Sequence, residues 1–310
     1  MHKWNYNSKL LIKTFNGKVI GNENIIIDSV TTVNDLKENS ILFFTKKKWS
    51  DEFLNKIHNI KNCFVIIEPD LLDFFSEVST SNCIVITENA RLYFAKALIT
   101  IINSKNDGRD YKKYGLDCII GENVYIGKGC IIEPFVFIDH DVSIGNNVTI
   151  KSGTKIRQNV VIKDNAVIGE NSVIGAQGFG IEKDENENNI RIPHIGGVLI
   201  KENVEIGALT SIVAGTIHPT VIEKNVFIDD LNHIAHNCSI GEGTLTTAAV
   251  QIGGSVIIGA NSYIAPNATI RNGISLGESC FIGQASSVQK SFENNVSLVG
   301  NPSKQFEKKD

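Results

Sequence analysis

The chain reads as a mainly β protein, a parallel β-helix of six-residue repeats preceded by a small α/β domain. Two observations predict the helix. Isoleucine recurs at Ile120, Ile126, Ile132, Ile138, Ile144, Ile150, Ile156, Ile162, Ile168 and Ile174, a spacing that matches neither an α-helix nor a flat strand. Four residues after each isoleucine comes a small or β-branched residue, as at Val124, Cys130, Val136, Val142, Val148, Thr154, Val160, Ala166 and Ser172. Hexads of this kind each make one side of a coil that stacks on its neighbour. Three of them close a triangular turn, with these two positions inward and the other four outward. A third observation sets off the front of the chain: before residue 116 the register is missing and short apolar runs alternate with helix-like stretches.

Taken in order, residues 1–105 form the α/β domain. Strand-like runs at 24–27, 41–44, 64–67 and 84–87 alternate with helix-like 50–60 and 88–103, and in the last of these Leu92, Ala95, Leu98, Ile99 and Ile102 share a face. The polar, glycine-containing run at 104–110 has turn chemistry without apolar periodicity, which places a linker at 106–115. The β-helix then occupies 116–300, and 301–310 is a short charged tail. Gly121, Gly127, Gly145, Gly169, Gly175, Gly207 and Gly241 directly follow inward isoleucines, where a corner needs a tightly bending backbone.

The repeat is interrupted twice. After Ile174 the run 182–189 is too polar for a prism interior and loops outward. The register resumes at Ile200, Ile206 and Ile212, slips through Thr216-Ile217-His218-Pro219, and recovers from Ile222 to Val288, with Thr246 in place of one isoleucine. Both interruptions border Asp229-Asp230-Leu231-Asn232-His233-Ile234-Ala235-His236-Asn237.

Composition narrows the function. A chain of 310 residues, 42% apolar and 21% charged with net charge -4, is an ordinary soluble protein of about two domains. It has no basic patch for nucleic acid. No apolar run reaches the ~18 residues that span a bilayer, so the expected location is the cytoplasm. Cys118, Cys130, Cys238 and Cys280 fall on the inward small position without CxxC pairing, which makes them core filler rather than zinc ligands or disulfides.

The candidate chemistry centres on His236. It stands two places after the inward Ile234, so its side chain points away from the core. One 18-residue coil later comes Gly254, which stacking at about 4.8 Å places beside it with no side chain over its N–H. A histidine, with an ordinary pKa near ~6.5, takes a proton from an attacking amine at neutral pH. The bare amide is a donor for the oxyanion formed when that amine adds to a thioester, and losing such a donor typically costs about 2.7–4 kcal/mol. Asp229 and Asp230 either orient the ring, bind the amine or form a solvated acidic corner. A metal reading of His233 and His236 needs a third histidine, His194 or His218, at a subunit interface, and no metal is expected.

Gly178-Phe179-Gly180, Arg191-Ile192-Pro193-His194-Ile195-Gly196, Val204-Glu205-Ile206-Gly207-Ala208 and Ile234-Ala235-His236-Asn237, together with Ile228-Asp229, resemble the UDP-3-O-acylglucosamine N-acyltransferase family of lipid A synthesis. The likeness covers most of the chain. It implies a left-handed β-helix, an exception to right-handed crossovers, and a homotrimer. It also implies that His236 is the general base and that the Gly254 amide helps hold the oxyanion. The co-substrate is then a thioester of acyl carrier protein or coenzyme A, with no resident cofactor, and Phe179, Asn237, Asp229 and Asp230 are substrate-binding candidates.

In the same likeness, Phe43-Phe44-Thr45-Lys46-Lys47-Lys48-Trp49 grips uracil. Phe43 and Trp49 stack on the base, which contributes about 1–3 kcal/mol per base, and Lys46 with its neighbours meets the diphosphate. Without the likeness, Phe43 reads equally well as a buried strand residue and the lysines as a solvated turn. The chain departs from the family at Lys46 (usually asparagine), Val213-Ala214 (usually Asp-Arg) and Gly273 (usually histidine). Its ending at Gly300-Asn301-Pro302 is similar to that of coenzyme A-dependent hexapeptide acyltransferases. These departures keep two alternatives open: an acyl-coenzyme A-dependent N-acyltransferase on another UDP- or dTDP-linked amino sugar of O-antigen or capsule, and a non-catalytic β-solenoid scaffold.

Overall fold

The computed structural model describes residues 4–14, 18–32, 34–45, 56–75, 80–104, 112–114, 117–302 and 304–305. Two compact units divide the chain: Met1–Gly108 with Phe179–Pro193, and Arg109–Gly178 with His194–Asp310.

The second unit is the left-handed parallel β-helix. Its short strands form three sheets of ten, eight and ten strands among the described residues. Most strands pair in parallel with the one 18 residues on, as Ile156 with Ile174 and Ile234 with Ile252; near the end of the prism the step shortens to 16, Phe281 with Ser297. Across the first interruption Val161 pairs with Leu199, and across the second Ser211 pairs with His233. Those steps of 38 and 22 residues are one coil plus insertions of 20 and 4 residues. The register therefore survives both.

The inward positions behave as their chemistry requires. Ile138, Ile156, Ile174, Ile212, Ile234 and Ile252 are fully buried, and burying a side chain of that size contributes roughly 1.5–3 kcal/mol. Hydroxyls at the small inward position donate to backbone carbonyls at Thr154, to Gly169 (2.7 Å), and at Thr244, to Gly259 (3.0 Å), whereas that of Thr220 is buried without a partner among the described residues. Cys118, Cys238 and Cys280 are buried there and Cys130 is half-buried.

The corner glycines have a different cause from the one expected. Of the seven, only Gly175 has a positive φ. The others are small because coils touch: a Cβ on Gly121 would lie 2.6 Å from the backbone nitrogen of His140 in the next coil. The left-handed corner residue falls two places later and is commonly asparagine, as at Asn147, Asn165, Asn203 and Asn225, a residue that tolerates this conformation. Those four amides form a ladder along one edge at 3.3, 3.1 and 3.1 Å.

The prism also claims both ends of its expected range. Lys112–Tyr114, inside the expected linker, pairs antiparallel with Cys118–Ile120, and Lys304–Gln305, inside the expected tail, pairs antiparallel with Ser297–Val299.

The first unit holds a five-stranded sheet in the order Lys18–Gly21, Cys83–Ile86, Phe64–Ile67, Ser40–Phe44, Ser29–Val30. Only the first pair is antiparallel. Phe64–Ile67 and Cys83–Ile86 are buried at every residue, the continuous apolar run expected of parallel strands covered on both faces. Helix Ala90–Asn103 begins two residues later than the expected 88–103 because Asn89 caps it, accepting from the Leu92 N–H at 2.9 Å. The expected helix at 50–60 lies largely outside the described residues.

That longer helix buries more than one stripe: Tyr93, Phe94, Ala97 and Ile101 join Leu92, Ala95 and Leu98, while Ile99 and Ile102 are half-buried. Strands Ser40–Phe44 and Phe64–Ile67 and a hairpin of Ile181–Lys183 with Asn189–Arg191 pack on it. The first interruption is thus an ordered hairpin, tied to the helix by Arg91–Glu182 (2.9 Å) and Lys96–Glu185 (3.3 Å). Partly exposed pairs of this kind contribute up to about 1 kcal/mol each.

Candidate active site

In a regular corner, the side chain two places after the inward isoleucine reaches back and accepts the N–H of its counterpart one coil earlier. Asn146 takes the Lys128 N–H (3.0 Å), Asp164 the Asn146 N–H (2.7 Å) and Asp230 the Ala208 N–H (2.6 Å). His140 occupies this position and is spent in the same way, its Nδ1 accepting from the Glu122 N–H at 2.8 Å. His140 is buried beside Asp139, whose carboxylate faces Arg157 at 3.3 Å.

His236 stands at the equivalent place but is relieved of that duty. The neighbouring Asn237, left-handed with φ 59°, takes it over: its Oδ1 accepts from the Thr216 N–H at 2.7 Å and its Nδ2 donates to Thr216 Oγ1 at 3.2 Å. Thr216 belongs to the four-residue slip in the repeat. With Oδ1 committed, the amide NH2 faces His236 Nδ1 at 3.0 Å. Nδ1 is the acceptor, and the resting neutral ring carries its proton on Nε2.

Gly254 supplies the other wall. A Cβ there would lie 2.6 Å from His236 Cε1 and 2.7 Å from Nε2, so the imidazole rests directly on the glycine. The adjacent amides are engaged, Gly253 N–H to Ile270 O (2.9 Å) and Ser255 N–H to His236 O (2.8 Å). Among the described residues no hydrogen bond engages the Gly254 N–H. Beside the ring is His194, buried, its ring centroid 5.0 Å from that of His236 at 64°. In the sequence His194 stands out as part of Arg191-Ile192-Pro193-His194-Ile195-Gly196 and as a possible third metal ligand, not as a neighbour of His236; no sequence period places a residue that follows a 20-residue insertion.

The remaining candidates are distributed as follows. His233 lies outward on the strand leading to His236, between Ser211 and Gln251, half-buried, and desolvation lowers its pKa from the ordinary histidine value. Asp229 and Asp230 are exposed at the preceding corner, Asp229 Oδ1 accepting the Asp230 N–H at 2.8 Å. No described hydrogen bond joins them to His236. His218 is exposed, and among the described residues no three His, Cys, Asp or Glu side chains are grouped to hold a metal ion.

In the first unit Phe43 is half-buried, its ring against Phe94 at 4.7 Å, while Lys46 and Trp49 lie outside the described residues. Phe179, on the hairpin, is 79% exposed with the Arg191 guanidinium 5.5 Å from its ring centre.

The bacterial transferase hexapeptide (six repeats) family matches residues 123–158 and 141–176. Two solved structures share the fold at 26% identity. The UDP-N-acetylglucosamine acyltransferase of Campylobacter jejuni has a TM-score of 0.56 over 61% of this chain and 72% of its own, and that of Francisella novicida 0.54 over 59% and 64%. With a histidine ring seated on a bare glycine corner of this fold, the chain is a hexapeptide-repeat acyltransferase. The curated UDP-3-O-acylglucosamine N-acyltransferase of Helicobacter hepaticus is 37% identical over 81% of this chain and 78% of its own length, and that of Francisella tularensis subsp. holarctica 36% identical over 77% and 73%. The chain belongs to the UDP-3-O-acylglucosamine N-acyltransferase family.

Proposed function

We propose that this protein transfers an acyl group from a thioester of acyl carrier protein or coenzyme A to the amine of a UDP-linked 3-O-acylglucosamine, a step of lipid A synthesis. The observation that carries the reading is the His236 ring lying on Gly254. An amine approaching there meets a base and an adjacent N–H donor in one place. His236 removes a proton as the amine attacks, and the Gly254 N–H stabilises the tetrahedral oxyanion. Collapse then breaks the C–S bond, and the departing sulfur takes the proton from His236 to leave as the thiol. Taking that proton on Nε2 requires the ring to shift its own proton to Nδ1, a tautomer that the Asn237 amide opposes.

The nucleotide is held by the first unit, with Phe43, Lys46 and Trp49 around the uracil and diphosphate. Phe179, Asp229 and Asp230 contact the remaining substrate. Asn237 acts through His236 rather than on substrate. The enzyme works in the cytoplasm as a homotrimer. An outward column of Phe227, Leu245, Tyr263 and Phe281, in register on one sheet with each residue more than a third exposed, supports cover by a neighbouring subunit. Among the described residues no helix is long and apolar enough to cross a membrane.

The test is thiol release by the purified protein, crossing acyl carrier protein and coenzyme A thioesters with UDP- and dTDP-linked amino sugars. The expected result is turnover with the UDP-3-O-acylglucosamine acceptor that falls by at least about a hundredfold in His236→Ala. Turnover confined to a short acyl-coenzyme A and another amino sugar would move the enzyme to surface-polysaccharide synthesis. Turnover that ignores His236 would remove the catalytic reading.

A further inference from the structure

The 20-residue excursion leaves and re-enters the prism beside His236. Its two stems are joined there: the His194 N–H donates to Gln177 Oε1 at 2.9 Å, and Gln177 Nε2 donates to the His194 carbonyl at 3.0 Å. The His194 ring is packed over Gly178, where any Cβ would run into it. The residue is 3% exposed, so the ring is fixed by its main chain, by the bare glycine under it and by its own burial.

From this fixed place it meets His236 nearly edge-on, at a centroid separation of 5.0 Å and 64°. That is the preferred geometry of an aromatic pair. His236 thus has Gly254 beneath it, Asn237 at Nδ1 and the His194 ring beside it. Asn237 engages Nδ1, and the His194 ring stands against the imidazole, where it limits tilting.

We propose that His194 is a positioning residue for acyl transfer: its ring holds the His236 imidazole against Gly254, so that base and oxyanion donor keep one geometry through the reaction. This role makes the stems of the excursion part of the catalytic apparatus. The proposal rests on the acyl-transfer reading above.

The experiment compares wild type, His194→Ala, His194→Phe and His236→Ala in the thiol-release assay, and follows the His236 ring by NMR in protein labelled at histidine. His194→Ala is expected to lower kcat roughly ten- to hundredfold, since small misplacements of a reacting group are that costly. Acceptor KM should stay within about twofold, the mark of an interaction that matters in the transition state. His194→Phe keeps a ring in place and should restore most of the rate. The His236 ring signals should broaden or shift in the alanine variant and return in the phenylalanine variant.

Wild-type kcat in folded His194→Ala, or a phenylalanine variant as slow as alanine with its His236 signals in place, would overturn the proposal. If wild type itself turns over no donor and acceptor pair, the acyl-transfer reading fails. The NMR comparison still decides the positioning claim, which unchanged His236 signals in His194→Ala would refute.

Discussion

Replacing Asn237 by aspartate should make the enzyme faster at alkaline pH and slower at acid pH. Asn237 Oδ1 accepts from the Thr216 N–H at 2.7 Å, which leaves its NH2 facing His236 Nδ1 at 3.0 Å. A ring ready to act as base at Nε2 carries its proton on Nδ1, where it would oppose that NH2. Losing one hydrogen bond and opposing two donors costs about 1–3 kcal/mol, so the ready tautomer is held to between roughly a tenth and a hundredth of the neutral rings.

Aspartate keeps the bond from the Thr216 N–H and accepts Nδ1–H as well. The penalty then becomes a charge-assisted bond, and kcat should rise about ten- to hundredfold where the ring is neutral. In Ser-His-Asp triads the reverse exchange, carboxylate to amide, lowers kcat by about 10⁴ through the wrong tautomer. The same carboxylate favours the imidazolium, so the acid limb of the rate profile should move to higher pH by about 1–3 units. The assay is kcat and kcat/KM from pH 5.5 to about 9.5 for both proteins. A variant slower at every pH, or an unmoved acid limb, would refute the tautomer argument.

Two further outcomes follow from the same geometry. Gly254→Ala should cost kcat about 10²-fold or more with little change in thermal midpoint, because the added Cβ meets the end of the His236 side chain and pushes it out of place rather than meeting backbone; a large fall in midpoint with kcat per folded enzyme retained would contradict this. His233→Gln should flatten the acid decline of the thermal midpoint. Burial lowers the folded-state pKa of His233, so below the unfolded value near ~6.5 the unfolded chain binds the proton more readily and stability falls as pH drops. Equal slopes for the two proteins between pH 7 and about 5 would count against it.

The fold was legible where burial depends on local spacing. Inward isoleucines pair with inward isoleucines 18 residues on, so the period alone gives the core columns and, because no insertion separates them, the contact of His236 with Gly254. The left-handed asparagine column was equally visible in the sequence at Asn147 and Asn165, yet the corner signal was assigned to glycines that are small for coil contact instead. Thr216 and His194 were not legible as partners of His236. Thr216 lies within the four-residue slip and His194 on the return stem of the longer insertion, and only tertiary packing of such a segment decides where its residues land.

The two interruptions explain why one histidine of the repeat is a candidate base and another is a corner cap. Ile138-Asp139-His140-Asp141 and Ile234-Ala235-His236-Asn237 sit at the same corner of the prism with the same spacing from the core. In the uninterrupted coil, His140 gives its Nδ1 to the N–H of the coil below and its ring is consumed in holding two turns together. Beneath His236 the four-residue slip brings Thr216 to that corner, and the left-handed Asn237 reaches its N–H first. The cap is satisfied by a neighbour, a glycine in the following coil gives the ring backbone to rest on, and the longer insertion supplies His194 as its wall. A corner cap thus becomes a candidate base through changes around the histidine, not in its own place in the repeat, which is why the period finds both residues and cannot rank them.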